Sequence, residues 1–148
     1  EAGRAAIEAG ALMAIHPWEL QKAVYAALEA AGITDEAGDP IKGIYDDVPE
    51  DSAYPYIVVG EETANNISTK TVDAHEHTLT LHVWSTYRGR KEIKIIMGQV
   101  YDALHDSDIT VSGASLVNLK QEFERTLMEG DGITRHGVIR FRGVVFDN

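Results

Sequence analysis

His75 and His77 lie two residues apart in a stretch of alternating hydrophobicity. On a strand both rings would share a face and could grip one metal ion. His82 falls on the opposite face, and spacing fixes no third ligand. An isolated pair of this kind, without further donors or orienting partners, reads as two half-exposed histidines beyond a buried segment. Replacing both with alanine is therefore expected to leave folding near normal. His105 and His136 are equally isolated, and no Gly-x-Ser-x-Gly elbow accompanies them. Gly130-Asp131-Gly132 reads as a turn, because it lacks the lysine and following helix of a phosphate-binding loop. Asp46, Asp47, Glu50 and Asp51 have the right chemistry for calcium, but Pro49 interrupts them and the twelve-residue ligand pattern is missing. The chain has no cysteine, which excludes disulfides, thiolate metal sites and thiol nucleophiles. The expectation is a protein without catalytic residues, metal or cofactor.

Charge is the more informative property. The 148 residues carry a formal charge of −11. Residues 1–87 hold 15 acids and 4 bases, whereas residues 88–148 hold 9 of each. More than half of the excess lies in residues 33–53, where seven acids face only Lys42. Such a surface repels phosphate and disfavours sequence-specific duplex binding. It reads either as a solvated loop that aids solubility or as a surface that nucleic acid must pass without sticking. The cations gather elsewhere. Arg88, Arg90, Lys91 and Lys94 open the second helical segment, where they oppose the helix dipole. Together with the acidic part of the chain they offer complementary surfaces for head-to-tail association. Asp46, Asp47, Glu50, Asp51, Arg88, Arg90, Lys91 and Lys94 are accordingly the candidate interface residues.

The elements that must position these groups follow from periodicity. Residues 1–12 are rich in Ala and Gly and precede Met13. They are expected to be upstream sequence or an expression remnant outside the core, leaving residues 13–148 as a single domain. Pro17 and Gly32 bracket a helix whose apolar face is Leu20, Val24, Leu28 and Ala31. Residues 33–53 form a polar connection, interrupted by the short apolar piece Gly43-Ile44-Tyr45. Tyr56-Ile57-Val58-Val59 then reads as a buried strand between Pro55 and Gly60. Residues 61–74 are polar almost throughout and predict a long flexible loop or an extended hairpin tip.

From residue 75 to 86 alternation places Leu79, Leu81 and Val83 on one face, against Thr78, Thr80, His82 and Trp84 on the other. The second helix carries Ile93, Ile96, Met97, Val100, Tyr101 and Leu104 as one apolar stripe. Residues 116–127 predict a strand alternating through Val117, Leu119, Phe123 and Leu127. Residues 138–146 predict another, with Ile139, Phe141 and Val145 inward. The fold class is α+β: a mostly antiparallel sheet with two main helices packed on one face. The longest apolar run is far too short for a membrane span and no secretory signal pattern is present, so a soluble intracellular protein is expected.

Read in order, these pieces resemble the tail-completion, or tail-terminator, proteins of long-tailed phages and gene transfer agents. The resemblance rests on His77-Thr78-Leu79-Thr80-Leu81-His82-Val83-Trp84-Ser85, Gly89, and Val100-Tyr101-Asp102-Ala103-Leu104-His105-Asp106. It continues in Leu116-Val117-Asn118-Leu119 and in the run from Asp131 to Arg142. Tyr45-Asp46-Asp47-Val48-Pro49 and the Pro55 to Gly60 strand match the family's acidic and apolar segments. The likeness spans about residues 16–147. No single piece is diagnostic, and the order and spacing carry it.

What the resemblance implies is a structural virion protein, assembled in the host cytoplasm and located at the neck of the tail. Its subunits would form a ring, typically a hexamer, that caps the head-proximal end of the tail tube and joins it to the head-side connector or stopper. Implied partners are further copies of itself, the tail tube protein and that connector, with DNA passing through the ring and no membrane involved. The family has no catalytic residues to carry over. Two other readings stand beside it: a different ring of the neck or tail, and a monomeric module binding a small ligand or metal through His75 and His77.

Overall fold

The computed structural model describes residues 16–147. The expectation for residues 1–12 therefore lies outside the described residues. The chain runs α1 (His16–Ala31), β1 (Gly43–Tyr45), β2 (Tyr56–Asn66), β3 (Ala74–Ser85), α2 (Lys91–Leu104), β4 (Ala114–Met128) and β5 (Arg135–Asp147). The five strands form one sheet in the order β1-β2-β3-β5-β4. Only β1 and β2 are parallel, and every other neighbouring pair is antiparallel. The α+β class expected from the sequence is the one observed.

Helix α1 carries Pro17 in its first turn, where proline lacks only a donor that would be unpaired anyway. It ends where Gly32 takes φ +60°, a conformation costly for any residue with a Cβ. Leu20, Val24 and Leu28 are buried against β1 and β2. Helix α2 lies across β3, β5 and β4 and buries Ile93, Ile96, Met97, Val100 and Leu104. Tyr101, expected on the same stripe, is instead exposed at its border. From the sheet come Ile57, Val59, Leu79, Leu81, Val83, Ile139, Phe141 and Val145, completing one continuous core. Gln99 on α2 ties the helices to the connection after α1. Its Oε1 accepts the Thr34 N–H at 2.9 Å and its Nε2 donates to the Thr34 carbonyl at 2.8 Å.

Two segments depart from the sequence expectation, and a third, residues 61–74, takes the hairpin alternative of the two expected for it. Gly43-Ile44-Tyr45 is a strand, pairing in parallel with Tyr56, Ile57 and Val58 at the sheet edge. The polar stretch 61–74 is mostly a hairpin: β2 continues to Asn66 and pairs with β3 through Asn66–His75. Its turn is held by side chains, with the Ser68 hydroxyl accepting the Ala74 N–H at 3.0 Å and Asn66 Oδ1 accepting the Ser68 N–H at 2.8 Å. Short polar side chains replace missing ladder bonds there, which suits a segment that is polar almost throughout. Strand β4 does not keep its alternation. Leu119 is buried while Val117 and Phe123 are exposed, because the register shifts between Val117 and Lys120 and again between Gln121 and Phe123. Each bulge inserts a residue and reverses which parity faces the core.

Candidate subunit interface

All eight candidate interface residues are exposed. Asp46, Asp47, Glu50 and Asp51 occupy the connection between β1 and β2, which closes on the cis Tyr54–Pro55 bond. Beneath them Tyr45, Tyr54 and Tyr56 cluster with ring centroids 5.1–5.6 Å apart around Tyr56. Burial, then the hydrogen bond with Tyr54, pushes the Tyr56 phenol up to about 12, so it remains a neutral ring under the acidic loop. Arg88 and Arg90 stand in the connection before α2, and Lys91 and Lys94 on its first turn. Among the described residues none of the eight forms an ion pair within the chain. The two clusters do share one end of the sheet, since the row Gly43–Tyr56–Trp84–His136–Leu127 crosses it there.

The cations are not alone at the helix start. Glu92 sits in the same turn, buried, and accepts the Ser85 hydroxyl at 2.6 Å. Ser85 in turn accepts the Tyr87 N–H at 3.0 Å. This carboxylate favours the helix dipole that the cations oppose. Sequence reasoning passed over it, although its place in the first turn was visible; its burial was not.

The histidine pair is corrected in part. His75 is half-buried, but His77 is only 2% exposed and shares the core face with Leu79. Its Nδ1 lies 3.3 Å from Glu62 Oε1, and its Nε2 is buried with no hydrogen-bond partner. Alanine at His77 is thus expected to cost about 1–3 kcal/mol through lost contacts and an unpaired Glu62, whereas alanine at His75 costs under about 0.5 kcal/mol. Urea unfolding of the two single variants measures this. Equal midpoints would contradict the burial of His77.

A second histidine pair was not legible from spacing. On the face away from the helices, His82 Nδ1 lies 2.6 Å from His136 Nε2. Glu61 holds the far nitrogen of His82 at 3.0 Å, and Glu129 holds that of His136 at 2.9 Å. Trp84 stacks on His136 with centroids 3.8 Å apart. Burial holds His136 below the usual imidazole range against the pull of Glu129. The 54-residue separation of these rings becomes contact only through the β3–β5 register. Nearby, Asp131 builds the β4–β5 turn: its Oδ1 accepts the Ile133 and Thr134 N–H groups at 2.8 Å and its Oδ2 the Thr134 hydroxyl at 2.7 Å. Those bonds hold its carboxyl below the usual range. Among the described residues no group of three or more His, Asp or Glu side chains is arranged so that it could hold a metal ion. Nor is any described helix long and apolar enough to cross a membrane.

The wider comparison agrees with the order of these elements. The Tail completion protein gp17 of Bacillus phage SPP1 is 28% identical over 127 residues, covering 82% of this chain and 94% of that protein. A chain from the virion of a native gene transfer agent particle superposes with a TM-score of 0.73 at 27% identity, covering 86% of this chain and 94% of that one. The family described as Tail completion protein gp17 matches residues 17–145, from the first turn of α1 to the last strand, and the chain belongs to it.

Proposed function

We propose that this protein is a structural component of a phage or phage-like tail, carried in the virion, and that it works by assembly and not by catalysis. Six copies form a ring that caps the head-proximal end of the tail tube and joins it to the head-side connector. The tube protein and the connector are its partners, and DNA crosses the ring without sequence-specific contact. The observation that carries this reading is similarity over nearly the whole chain to a tail completion protein and to a chain of a gene transfer agent virion. The exposed charge clusters, which form no ion pair among the described residues, support it, because a closed ring needs two different complementary patches on each subunit. The test is a mass measurement with negative-stain imaging of the protein, concentrated and mixed with purified tail tubes. Rings of defined size at one tube end are expected. Isolated single copies on the tubes would refute the reading, and close to one zinc per chain by elemental analysis would favour a metal-binding module.

The cations give the ring reading a residue-level form. In this reading Arg90 and Lys91 meet acids of a neighbouring subunit, with Asp46, Asp47, Glu50 and Asp51 as the assigned partners. Arg90→Glu combined with Lys91→Glu should weaken ring formation about tenfold or more at low salt, with a smaller difference at high salt where both proteins are screened. Both residues are exposed, so thermal unfolding of the monomer should change little. Assembly equal to wild type at both salt concentrations would place the interface elsewhere.

A further inference from the structure

Two unlike surface features lie toward opposite edges of the sheet, whose order puts β1 at one side and β4 at the other. On the β4 side, α2 and β4 enclose an open groove of about 650 Å3. Its lining includes Lys94, Gly98, Tyr101 and Asp102 from the helix and Glu124 and Arg125 from the strand. The four charged side chains are exposed and form no ion pair among the described residues. Tyr101 stacks on His105 with ring centroids 4.3 Å apart, which fixes an exposed aromatic wall. Gly98 is harder to explain from the chain alone. It stands exposed in the middle of α2, and a Cβ there would meet nothing within 4 Å. Alanine would fit and would favour the helix, so internal packing does not call for glycine. Bare backbone at that point allows another chain to approach closely.

On the β1 side, Trp18 and Tyr25 stand two turns apart on α1 and are 51% and 41% exposed. They border an apolar depression together with Asp46, which directly follows β1. Lys22 between them is already engaged, bonded to Glu19 at 3.0 Å and lying 5.8 Å from the Trp18 ring centre. Asp46 forms no ion pair among the described residues.

We infer that Trp18 and Tyr25 of one copy of this chain seat in the α2–β4 groove of the next copy. This rests on the ring reading above and names the surfaces by which its subunits meet. Shape favours it, since two projecting aromatic side chains face a groove with no side chain at position 98. Exposed Trp and Tyr seated in such a groove are the residues that carry most of the energy of an interface. Charge favours it as well: Asp46 beside the aromatics meets Lys94 and Arg125 in the groove. Height agrees too. The register row Tyr45–Val58–His82–Val138–Arg125 runs from the residue before Asp46 to the groove, so copies stand side by side with like ends level. Repeating one unlike contact in this way closes a ring, whereas groove against groove would stop at a dimer.

The test measures ring formation by full-length variants concentrated with purified tail tubes. Gly98→Leu fills the groove, and Trp18→Ala with Tyr25→Ala removes its occupant. Each should raise the concentration needed for rings about tenfold or more. The thermal midpoint of the Gly98→Leu monomer should hold or rise, because leucine favours a helix over glycine. Gly98→Ala should raise the midpoint and weaken rings less. Asp46→Lys and Lys94→Glu should each weaken rings, and the two combined in one chain should recover most of the loss. Wild-type ring formation by Gly98→Leu, or no recovery in the combined charge reversal, would overturn the seating and leave the ring reading standing. Normal rings that no longer attach to tubes would overturn it in favour of the tube protein as the groove's occupant. Single copies on the tubes for the wild-type protein would overturn both.

Discussion

Replacing Phe141 with alanine is expected to remove about 3–5 kcal/mol of stability, a large share of the roughly 5–15 kcal/mol that holds a domain together. Phe141 heads the largest fully buried side chains and is 1% exposed. It sits at the middle of β5, flanked by Leu79 on β3 and Gln121 on β4, under the helices. Alanine there leaves a cavity that a five-stranded sheet cannot collapse into. The thermal midpoint should fall by about 10 °C or more, with the urea m-value unchanged. Phe123 supplies the control. It is 40% exposed with the Arg140 guanidinium 5.1 Å from its ring centre. Alanine at Phe123 should cost under about 1 kcal/mol. Equal losses at the two phenylalanines would mean that β4 has no bulge between Gln121 and Phe123 and that Phe123 faces the core.

That contrast also marks how far the sequence could be read. Regular periodicity was enough for α1, where Leu20, Val24 and Leu28 repeat between a proline and a glycine, and for β3 and β5, which alternate without interruption. With the apolar stripe Ile93, Ile96, Met97, Val100 and Leu104 of α2, those elements give the α+β class. Periodicity fails where a strand is bulged, because one inserted residue changes the parity of everything after it. Phe123 and Val117 therefore look inward in the sequence and are exposed in the fold. It fails again at β1, three residues long, and along the polar half of β2, whose pairing depends on β3 and not on its own pattern. The candidate interface residues were visible as an imbalance of charge along the chain, which needs only the sequence. Their common end of the sheet, and the contact between His82 and His136, required the register of strands far apart in sequence.

Glu92 shows the same limit beside the candidate interface cations, and its removal is the second large expected effect. Its carboxylate is 7% exposed and takes the hydrogen bond of Ser85, which is wholly buried. Alanine at Glu92 leaves that hydroxyl without its acceptor and removes the acid from the first turn of α2. A hydrogen bond to a charged group is worth about 1.5–3 kcal/mol, and the lost interaction with the helix dipole adds roughly 0.3–1 kcal/mol. The combined cost should be about 2–4 kcal/mol. Glutamine keeps an oxygen for Ser85 and should recover about half of it. Ser85→Ala with Glu92→Gln should then cost clearly less than the sum of the single changes, because the two share one bond. The consequence for the interface is separate from stability. Without Glu92 the first turn of α2 faces Arg90, Lys91 and Lys94 with no acid of its own, so dependence on a neighbour's carboxylates should rise. Ring formation by Glu92→Gln, measured below its unfolding temperature, should therefore become more sensitive to salt than that of the wild type. An unchanged salt dependence, with the fold intact, would separate these cations from the subunit contact.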